Sequence, residues 1–387
     1  MKVLIIHNKY IEAGGEDTTA LNEFNLLKEK NITSEIFYFD NKGSKISAFI
    51  KFLAYPFNIL SYLKMRRLIR LHKPDLVHIH NFFYAASPSI FYALKHKKVP
   101  FLVTVQNFRL LCPSGALFWK GGLYLKSLKK SFTLEPVIDK VYKNSAFLTF
   151  WLYMSNYLHF KIGTWSLPSK YIFVSKFSKD IYSQNSFSIY KDKFALKYNF
   201  MSVPENNVPF ARDKYFVYIG RLSEEKGIQL LLESFSKLPL KLLIIGDGCL
   251  KNDVLKYARI YPNIQFLGFK PKDEVLKYLA AAQALIFTSL WYEGMPLTIV
   301  ESFSVGTPVI SSNLGAMSEM IIDKVNGYHF EAGDGGGLIE KVNLVNSLSD
   351  EEYWSLVSST KKDFGRRFSM NESYKTLLDI YSGVLNQ

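Results

Sequence analysis

The residues that are best suited to bind or react with a ligand lie in the segment LWYEGMPLTIVESFSVGTPVISS, residues 290–312. Pro296 can open a helix in this segment and Gly306 can end it, so Glu293 would precede the helix and Glu301 would lie inside it. Free backbone N–H groups at a helix start suit phosphate or sugar hydroxyls, and carboxylates accept hydrogen bonds from hydroxyls. We expect Glu293 to contact the transferred sugar and Glu301 to accept hydrogen bonds from a ribose. The turn between them would also contact the donor, through Gly294, Met295, Pro296 and Leu297. The alternative is that Glu293 only starts the helix and Glu301 is a surface charge.

Two cations precede these acids in YIGRLSEEKGIQLLLESF, where a strand ends at Gly220 and a helix follows. Arg221 and Lys226 could together bind a diphosphate and stabilise the charge that builds on a nucleotide as it leaves. Taken alone, such cations in a loop are usually only solvated. The chain contains no Asp-x-Asp triplet that would hold Mg²⁺ or Mn²⁺ on a diphosphate, so we expect neither a metal nor another cofactor.

Candidate polar residues also occur in the first half of the chain. Gly14 and Gly15 in IEAGGEDTTALNEF would let the backbone approach a phosphate or sugar closely. His78 and His80 alternate on one predicted strand without an apparent third metal ligand, so we interpret His80 as a site residue and His78 as packing. The segment TVQNFRLLCPSG adds the polar side chains Gln106, Asn107 and Arg109.

Apolar, β-branched runs that alternate with helical patterns predict parallel strands, and therefore an α/β protein with two doubly wound sheets. The length of 387 residues suits two domains. Pro204, Asn206, Asn207 and Pro209 place a linker near residues 200–214. We expect a first domain over residues 1–200, a second over 201–365 and a final helix over 366–387.

The segments GRL…EKG and EGMPLTIVESFSVGTPVISS together resemble glycosyltransferase family 4, a retaining group with the GT-B fold, and the resemblance covers nearly the whole chain. It implies two Rossmann-like domains facing across a cleft. It also implies that Arg221 and Lys226 hold the donor phosphates, and that Glu293 and Glu301 contact the donor sugar and the ribose.

The same resemblance assigns further residues. Gly14 and Gly15 would face the donor diphosphate across the cleft, whereas Asn107 and Arg109 would lie on the acceptor side. The turn with Gly246 and Gly248, and the segment LGFK with Phe269, would surround the nucleotide base. The final helix would return to the first domain. Gln106 stands where the family has an active-site His, and a glutamine can hydrogen-bond a hydroxyl but cannot carry a proton.

The expected activity is transfer of a sugar from a nucleotide diphosphate to an acceptor hydroxyl with retention of the anomeric configuration, the leaving phosphate taking the acceptor proton. A sugar-nucleotide epimerase on the same scaffold and a binding subunit without catalytic activity are the alternatives. An oxidoreductase fits poorly, because Lys251 replaces the third glycine of the motif that starts at Gly246.

The charge of the chain is concentrated in residues 41–134, which contain sixteen Lys or Arg and one acid, Asp75, against +14 for the whole chain. Bases alternate there with large apolar residues, as anionic lipid headgroups would favour; the alternative is a solvated basic face over ordinary helices. No nucleic-acid motif accompanies the charge.

Two distant cysteines and the lack of a signal-peptide pattern favour the cytosol. Residues 144–160 carry no Asp, Glu, Lys or Arg, but their polar residues favour a buried or interface-lying helix over a membrane span. We therefore expect a peripheral protein on the cytosolic face of the inner membrane, with a lipid-linked or oligosaccharide acceptor in bacterial surface-polysaccharide synthesis.

Overall fold

The computed structural model describes residues 1–10, 14–128, 132–202 and 212–386. They form two compact units. Unit 1 contains Met1–Leu117, Tyr124–Tyr198 and Ser373–Gln387, and unit 2 contains Phe118–Leu123 and Asn199–Glu372. These units differ from the expected domains in three places, because Phe118–Leu123 belongs to unit 2, unit 2 resumes at Asn199, and the final segment joins unit 1 only from Ser373. Residues 203–211 of the expected linker lie outside the described residues.

The strands among the described residues are β1 (Lys2–Lys9), β2 (Thr33–Asp40), β3 (Leu76–Asn81), β4 (Phe101–Val105), β5 (Phe118–Trp119), β6 (Gly122–Leu123), β7 (Lys170–Phe173), β8 (Phe194–Leu196), β9 (Tyr215–Ile219), β10 (Lys241–Ile245), β11 (Ile264–Gly268), β12 (Ala284–Phe287), β13 (Val309–Ser312) and β14 (Gly327–Phe330). The α-helices are α1 (Gly15–Glu29), α2 (Lys45–Leu53), α3 (Ile59–His72), α4 (Ser89–His96), α5 (Glu135–Ile138), α6 (Ala146–Lys161), α7 (Lys176–Ser183), α8 (Ile228–Phe235), α9 (Lys251–Ile260), α10 (Lys272–Ala281), α11 (Leu297–Ser304), α12 (Met317–Met320), α13 (Gly335–Asn346), α14 (Asp350–Arg367) and α15 (Met370–Leu385).

Each unit is built around one parallel sheet of six strands. The strand order is β2-β1-β3-β4-β7-β8 in unit 1 and β11-β10-β9-β12-β13-β14 in unit 2. In both units the order reverses direction beside the first strand of the sheet, where the carboxyl ends of neighbouring strands leave a crevice that doubly wound proteins use for ligands. The predicted α/β class with two doubly wound sheets is therefore confirmed.

The last helix supplies part of the core of unit 1. Leu377, Tyr381 and Val384 of α15 are buried in one cluster with the strand residues Val3, Ile5, Leu76, Leu102 and Ile172. The face that they share follows helical spacing. The sheet of unit 1 thus depends on residues from both ends of the chain.

The aromatic helix α6 begins at Ser145, whose side chain accepts a hydrogen bond from the Leu148 N–H. Its buried polar residues bond within unit 1: the Asn156 amide donates to the Arg109 carbonyl at 2.9 Å and accepts from the Tyr55 hydroxyl at 2.9 Å. Among the described residues, no helix is long and apolar enough to span a bilayer.

Truncating Leu377 should destabilise unit 1, because this side chain is fully buried in the cluster. We expect Leu377→Ala to cost about 2–5 kcal/mol of the free energy of unfolding. Urea unfolding of the full chain measures this loss. Leu385→Ala on the same helix is the matched control, because Leu385 is 37% exposed. Equal midpoints for both variants would contradict the packing of α15 described above.

Candidate functional site

Glu293 lies at the centre of the polar group in unit 2. The residue is buried, and its Oε1 accepts hydrogen bonds from Lys226 Nζ at 2.5 Å, Trp291 Nε1 at 2.7 Å and Ser289 Oγ at 2.9 Å. Burial favours the neutral acid, but the charge of Lys226 and the three hydrogen bonds outweigh it and lower the pKa of Glu293. Glu293 is therefore a carboxylate at neutral pH, paired with an ammonium group.

The two predicted phosphate-binding cations lie around one aromatic ring. The Arg221 guanidinium carbon is 5.8 Å and Lys226 Nζ is 5.3 Å from the centre of the Trp291 ring. Arg221 also pairs with Glu225 at 3.1 Å and keeps about half of its side chain exposed. Sequence reasoning missed Trp291, although this residue follows the strand β12 and stands two positions before Glu293, where an indole N–H can reach the carboxylate.

Glycines allow the loops of unit 2 to pack backbone against backbone. Gly227 has a φ of +70°, and a Cβ atom there would lie 2.0 Å from the Thr288 carbonyl oxygen. At Gly246 a Cβ would lie 1.9 Å from the Gly220 carbonyl oxygen, and at Gly248 it would lie 2.4 Å from the Leu222 carbonyl oxygen. The loop after β10 therefore supports the loop that carries Arg221, which gives both predicted donor glycines a packing role.

The predicted helix start is observed at α11, which begins at Leu297 after Pro296. Pro296 offers no side-chain cap and the Ile299 N–H donates to the Pro296 carbonyl, so the N–H groups of Leu297 and Thr298 are the ones that suit an anion. Glu301 lies one turn further, 4.0 Å from Lys272 Nζ, and burial raises its pKa despite that neighbour.

Two further predicted donor residues of unit 2 are Met295, just before the start of α11, and Phe269, just after β11. Met295, one residue after Gly294, is buried, and its sulfur accepts a hydrogen bond from the Asn199 N–H at 3.0 Å. Phe269 is 76% exposed. Its ring is therefore open to a ligand.

The predicted acceptor-side residues come together in unit 1, around a cavity of about 40 Å³ that is large enough for ordered water. His80, Gln106, Asn107 and Arg109 all line it. Both ring nitrogens of His80 and Nε2 of Gln106 lack a hydrogen-bond partner within the described residues. Burial and the neighbouring His78 lower the pKa of His80 to about 4, so its ring is neutral at pH 7.

Glu16 is a polar neighbour of this cavity that sequence reasoning missed. Asn107 Nδ2 donates to Glu16 Oε1 at 2.8 Å, and the Arg109 guanidinium lies 3.9 Å from the centre of the Phe83 ring. Glu16 follows the two predicted glycines at the start of α1, where Gly14 is the N-cap and donates its N–H to Asp17 at 2.9 Å. Residues 11–13 of that predicted motif lie outside the described residues.

No third ligand was apparent beside His78 and His80 in the sequence, but the structure places a carboxylate next to them. Glu23 of α1 lies beside both histidines, with Oε1 2.7 Å from His78 Nδ1 and 3.5 Å from His80 Nε2. The ligand atoms of these three residues lie within 4.8 Å of one another, close enough to share a metal ion.

Glu23 nevertheless already forms a buried ion pair. Lys197 Nζ lies 2.8 Å from Glu23 Oε2. Burial opposes ionisation, but Lys197 and the two histidines outweigh it and keep the pKa of Glu23 well below its usual range. Because the ammonium already balances the carboxylate charge, we interpret the group as an ion-pair network. His78 is held in it by Tyr381 and Thr104 at 2.8 and 2.7 Å.

Residues 203–362, which lie within the range of unit 2, match the family model described as glycosyl transferases group 1. The second half of the chain is therefore similar to the group 1 glycosyltransferases. An uncharacterised glycosyltransferase of Methanocaldococcus jannaschii is 27% identical over 278 residues, which are 67% of this chain and 61% of that protein. The O-antigen chain mannosyltransferase B of Escherichia coli is 28% identical over 178 residues, 43% of this chain and 45% of that protein. The alignments span less than two thirds of either relative.

The fold of the whole chain is similar to that of a solved structure. The crystal structure of Anabaena HepE in complex with UDP covers 99% of this chain and 100% of that one, with a TM-score of 0.68 and 17% identity. The chain therefore has the GT-B fold, as its motifs predicted. Membership of family 4 in particular stays a prediction.

Removing the ammonium partner should leave the Glu293 carboxylate buried and unpaired. We expect Lys226→Met to destabilise unit 2 by about 3 kcal/mol at pH 7, and the double variant Lys226→Met/Glu293→Gln to recover most of that loss. Urea unfolding at pH 7 compares the variants. A single variant as stable as the wild type would contradict the ion pair.

The same pair fixes the sign of a pH effect. Because folding lowers the pKa of Glu293, its stabilisation is present above the ordinary glutamate value of 4.5 and is lost as the pH falls below it. The stability difference between wild type and Lys226→Met should therefore shrink toward pH 3.

Proposed function

We propose that this GT-B protein is a retaining glycosyltransferase that moves a sugar from a nucleotide diphosphate to an acceptor hydroxyl. The observation that carries the proposal is the pairing of Lys226 with Glu293 beside Arg221, within a group 1 glycosyltransferase domain. UDP bound to HepE supports a nucleoside diphosphate as the leaving group.

The donor would bind by exchanging partners within the polar group of unit 2. A diphosphate brings two negative charges to Arg221 and Lys226, which are now balanced by Glu225 and Glu293. Once Lys226 turns to the phosphate, Glu293 Oε1 can accept a hydrogen bond from the transferred sugar, while Trp291 and Ser289 hold the carboxylate in place. Glu301 would accept from the ribose. After the exchange the ammonium of Lys226 pairs with the phosphate, and the Glu293 carboxylate keeps its hydrogen bonds from Trp291 and Ser289 and gains one from the sugar.

The chemical step would use the leaving group as its own base. Gln106 cannot accept a proton, and burial lowers the pKa of His80 to about 4, so its imidazole is a weak base. We therefore expect the departing phosphate to take the acceptor proton as the hydroxyl attacks from the same face, with Arg221 and Lys226 stabilising the developing charge. No metal is needed for this task if these two cations perform it.

The acceptor we propose is a lipid-linked or oligosaccharide precursor of a bacterial surface polysaccharide. The similarity to the O-antigen chain mannosyltransferase supports this class of acceptor. The cavity of unit 1 supports it as well, because His80, Gln106, Asn107 and Arg109 bring hydrogen-bonding groups to one place. Hydroxyl groups of a sugar would satisfy the unpartnered nitrogens.

The proposed location is the cytosolic face of an anionic membrane, which the surface of unit 1 supports. Large apolar side chains are exposed along α2 and α3, namely Ile46, Phe49, Ile50, Phe57, Ile59, Leu60 and Leu63. The same face of α3 continues with the exposed bases Lys64, Arg67 and Arg70. Apolar residues followed by bases suit acyl chains and anionic headgroups.

Helix α6 extends this surface. His159 of α6 lies 2.7 Å from the Pro56 carbonyl oxygen in the turn between α2 and α3, so the two segments are neighbours. Phe147, Phe150 and Leu158 of α6 are exposed on a stretch without charged residues until Lys161. An exposed apolar area of this kind marks an interaction surface.

A donor screen tests the activity. We expect one nucleotide sugar among UDP-, GDP-, ADP- and dTDP-sugars to stabilise the wild type by about 2.7 kcal/mol at a hundredfold excess over its Kd, seen as a rise in Tm. Glu293→Ala and Arg221→Ala should lose that rise, because each removes a donor contact. Retention is then read from the anomeric NMR signal of the product.

Each outcome of this screen has a distinct meaning. An inverted anomer would contradict the retaining mechanism, whereas an altered free donor without acceptor would indicate an epimerase. Stabilisation without any released nucleotide, even with membrane extract as acceptor source, would indicate a binding subunit.

Vesicle sedimentation tests the membrane proposal. The wild type should bind vesicles that contain phosphatidylglycerol and release them at high salt, and Leu60→Glu/Leu63→Glu should reduce binding about tenfold. Ile260→Glu is the matched control, because Ile260 is a similarly exposed apolar residue on α9 of unit 2. Equal binding by all three proteins would overturn this location.

A further inference from the structure

A small hairpin separates from the unit in which its chain neighbours lie. Strands β5 and β6 pair antiparallel, with Phe118 opposite Leu123 and Trp119 opposite Gly122. The base of the hairpin is closed by the Tyr124 N–H, which donates to the Leu117 carbonyl at 2.7 Å. Leu117 and Tyr124 belong to unit 1, but the hairpin residues 118–123 group with unit 2.

One contact of the hairpin is made with the aromatic ring at the donor site. The Phe118 ring meets the Trp291 ring edge to face, with centroids 6.5 Å apart and an interplanar angle of 86°. Trp291 donates to Glu293 and lies under both Arg221 and Lys226. Phe118 therefore touches the one side chain that all three charged residues share.

A second contact is made at the tip of the hairpin. Gly121 has a φ of +77°, and a Cβ atom there would lie 2.8 Å from Glu224 Oε1. Glu224 begins the short 3-10 turn Glu224–Lys226, which ends at the proposed phosphate-binding lysine. The hairpin thus contacts the donor loops at two points, one beside Lys226 and one at Trp291.

We propose that the hairpin of residues 118–123 is a further element of the binding site for the nucleoside diphosphate, and that Phe118 is its positioning residue. This inference rests on the proposed function. When the cations turn to the phosphates, Trp291 loses two of its charged neighbours and must still hold the Glu293 carboxylate. Phe118 restrains the indole through the edge-to-face contact, and Gly121 lets the tip approach Glu224 closely enough to keep Phe118 there.

Two adjacent glycines provide a matched test. Gly121→Ala places a side chain at a positive φ and against the Glu224 carboxylate, whereas a Cβ at Gly122 has no atom within 4 Å. The measurement is the Kd for UDP, GDP, ADP and dTDP by isothermal titration, followed for whichever nucleotide the wild type binds, with the Tm of each protein recorded alongside.

We expect Gly121→Ala and Phe118→Ala to raise that Kd about tenfold, because each weakens the aromatic contact with Trp291. The Kd of Gly122→Ala should stay within about twofold of the wild-type value. Phe118→Tyr keeps the ring and should restore binding. The Tm should change little in all four variants, because residues 118–123 are partly buried or exposed.

The outcomes separate this inference from the proposed function. If the wild type binds one of the nucleotides and both Gly121→Ala and Phe118→Ala bind it equally well, the role of the hairpin is overturned and the donor site stands. If Phe118→Ala lowers the Tm as well as raising the Kd, and Phe118→Tyr restores neither the Tm nor the Kd, the hairpin has only a structural role. If the wild type binds none of the four nucleotides, the proposed function fails and this inference fails with it.

Discussion

The arrangement of the donor-side loops depends on keeping one buried carboxylate paired. Glu293 receives hydrogen bonds from Lys226, Ser289 and Trp291 on the same oxygen, and these donors come from the loops after β9 and β12. An unpaired carboxylate at this depth would cost several kcal/mol, so the two loops are held together by the need to satisfy it. The glycine at 227 allows this contact, because a side chain there would strike the Thr288 carbonyl.

A second buried carboxylate has the same organising effect in unit 1. Glu23 pairs with Lys197 and contacts His78, while Tyr381 of the last helix reaches that histidine. The network links the first helix, the central strands and the last helix of the chain. Burial and the neighbouring His78 keep the adjacent His80 neutral, so this residue brings a neutral imidazole to the cavity that Arg109 also lines.

The strands that the sequence predicted correctly are those buried on both faces, such as β1, β3 and β9, because a continuous apolar run has few alternatives in an α/β chain. Strands β2 and β8, at the two edges of the sheet of unit 1, carry weaker patterns, because the middle of β2 is only partly buried and β8 has three residues. The start of α11 was predictable from Pro296, whereas the hairpin offers two residues per strand and gave no usable periodicity.

By itself the sequence determined the fold class and the family motifs, and it identified Arg221, Lys226, Glu293 and Glu301, because local spacing along a strand, loop and helix places those side chains. Only the tertiary structure decided which charges meet. Glu23 and Lys197 are 174 positions apart, and Phe118 and Trp291 belong to segments that no local pattern connects. Contacts of this kind depend on how whole sheets and loops pack, because buried groups must pair with whatever lies next to them in space. Spacing along the sequence does not show which groups those are.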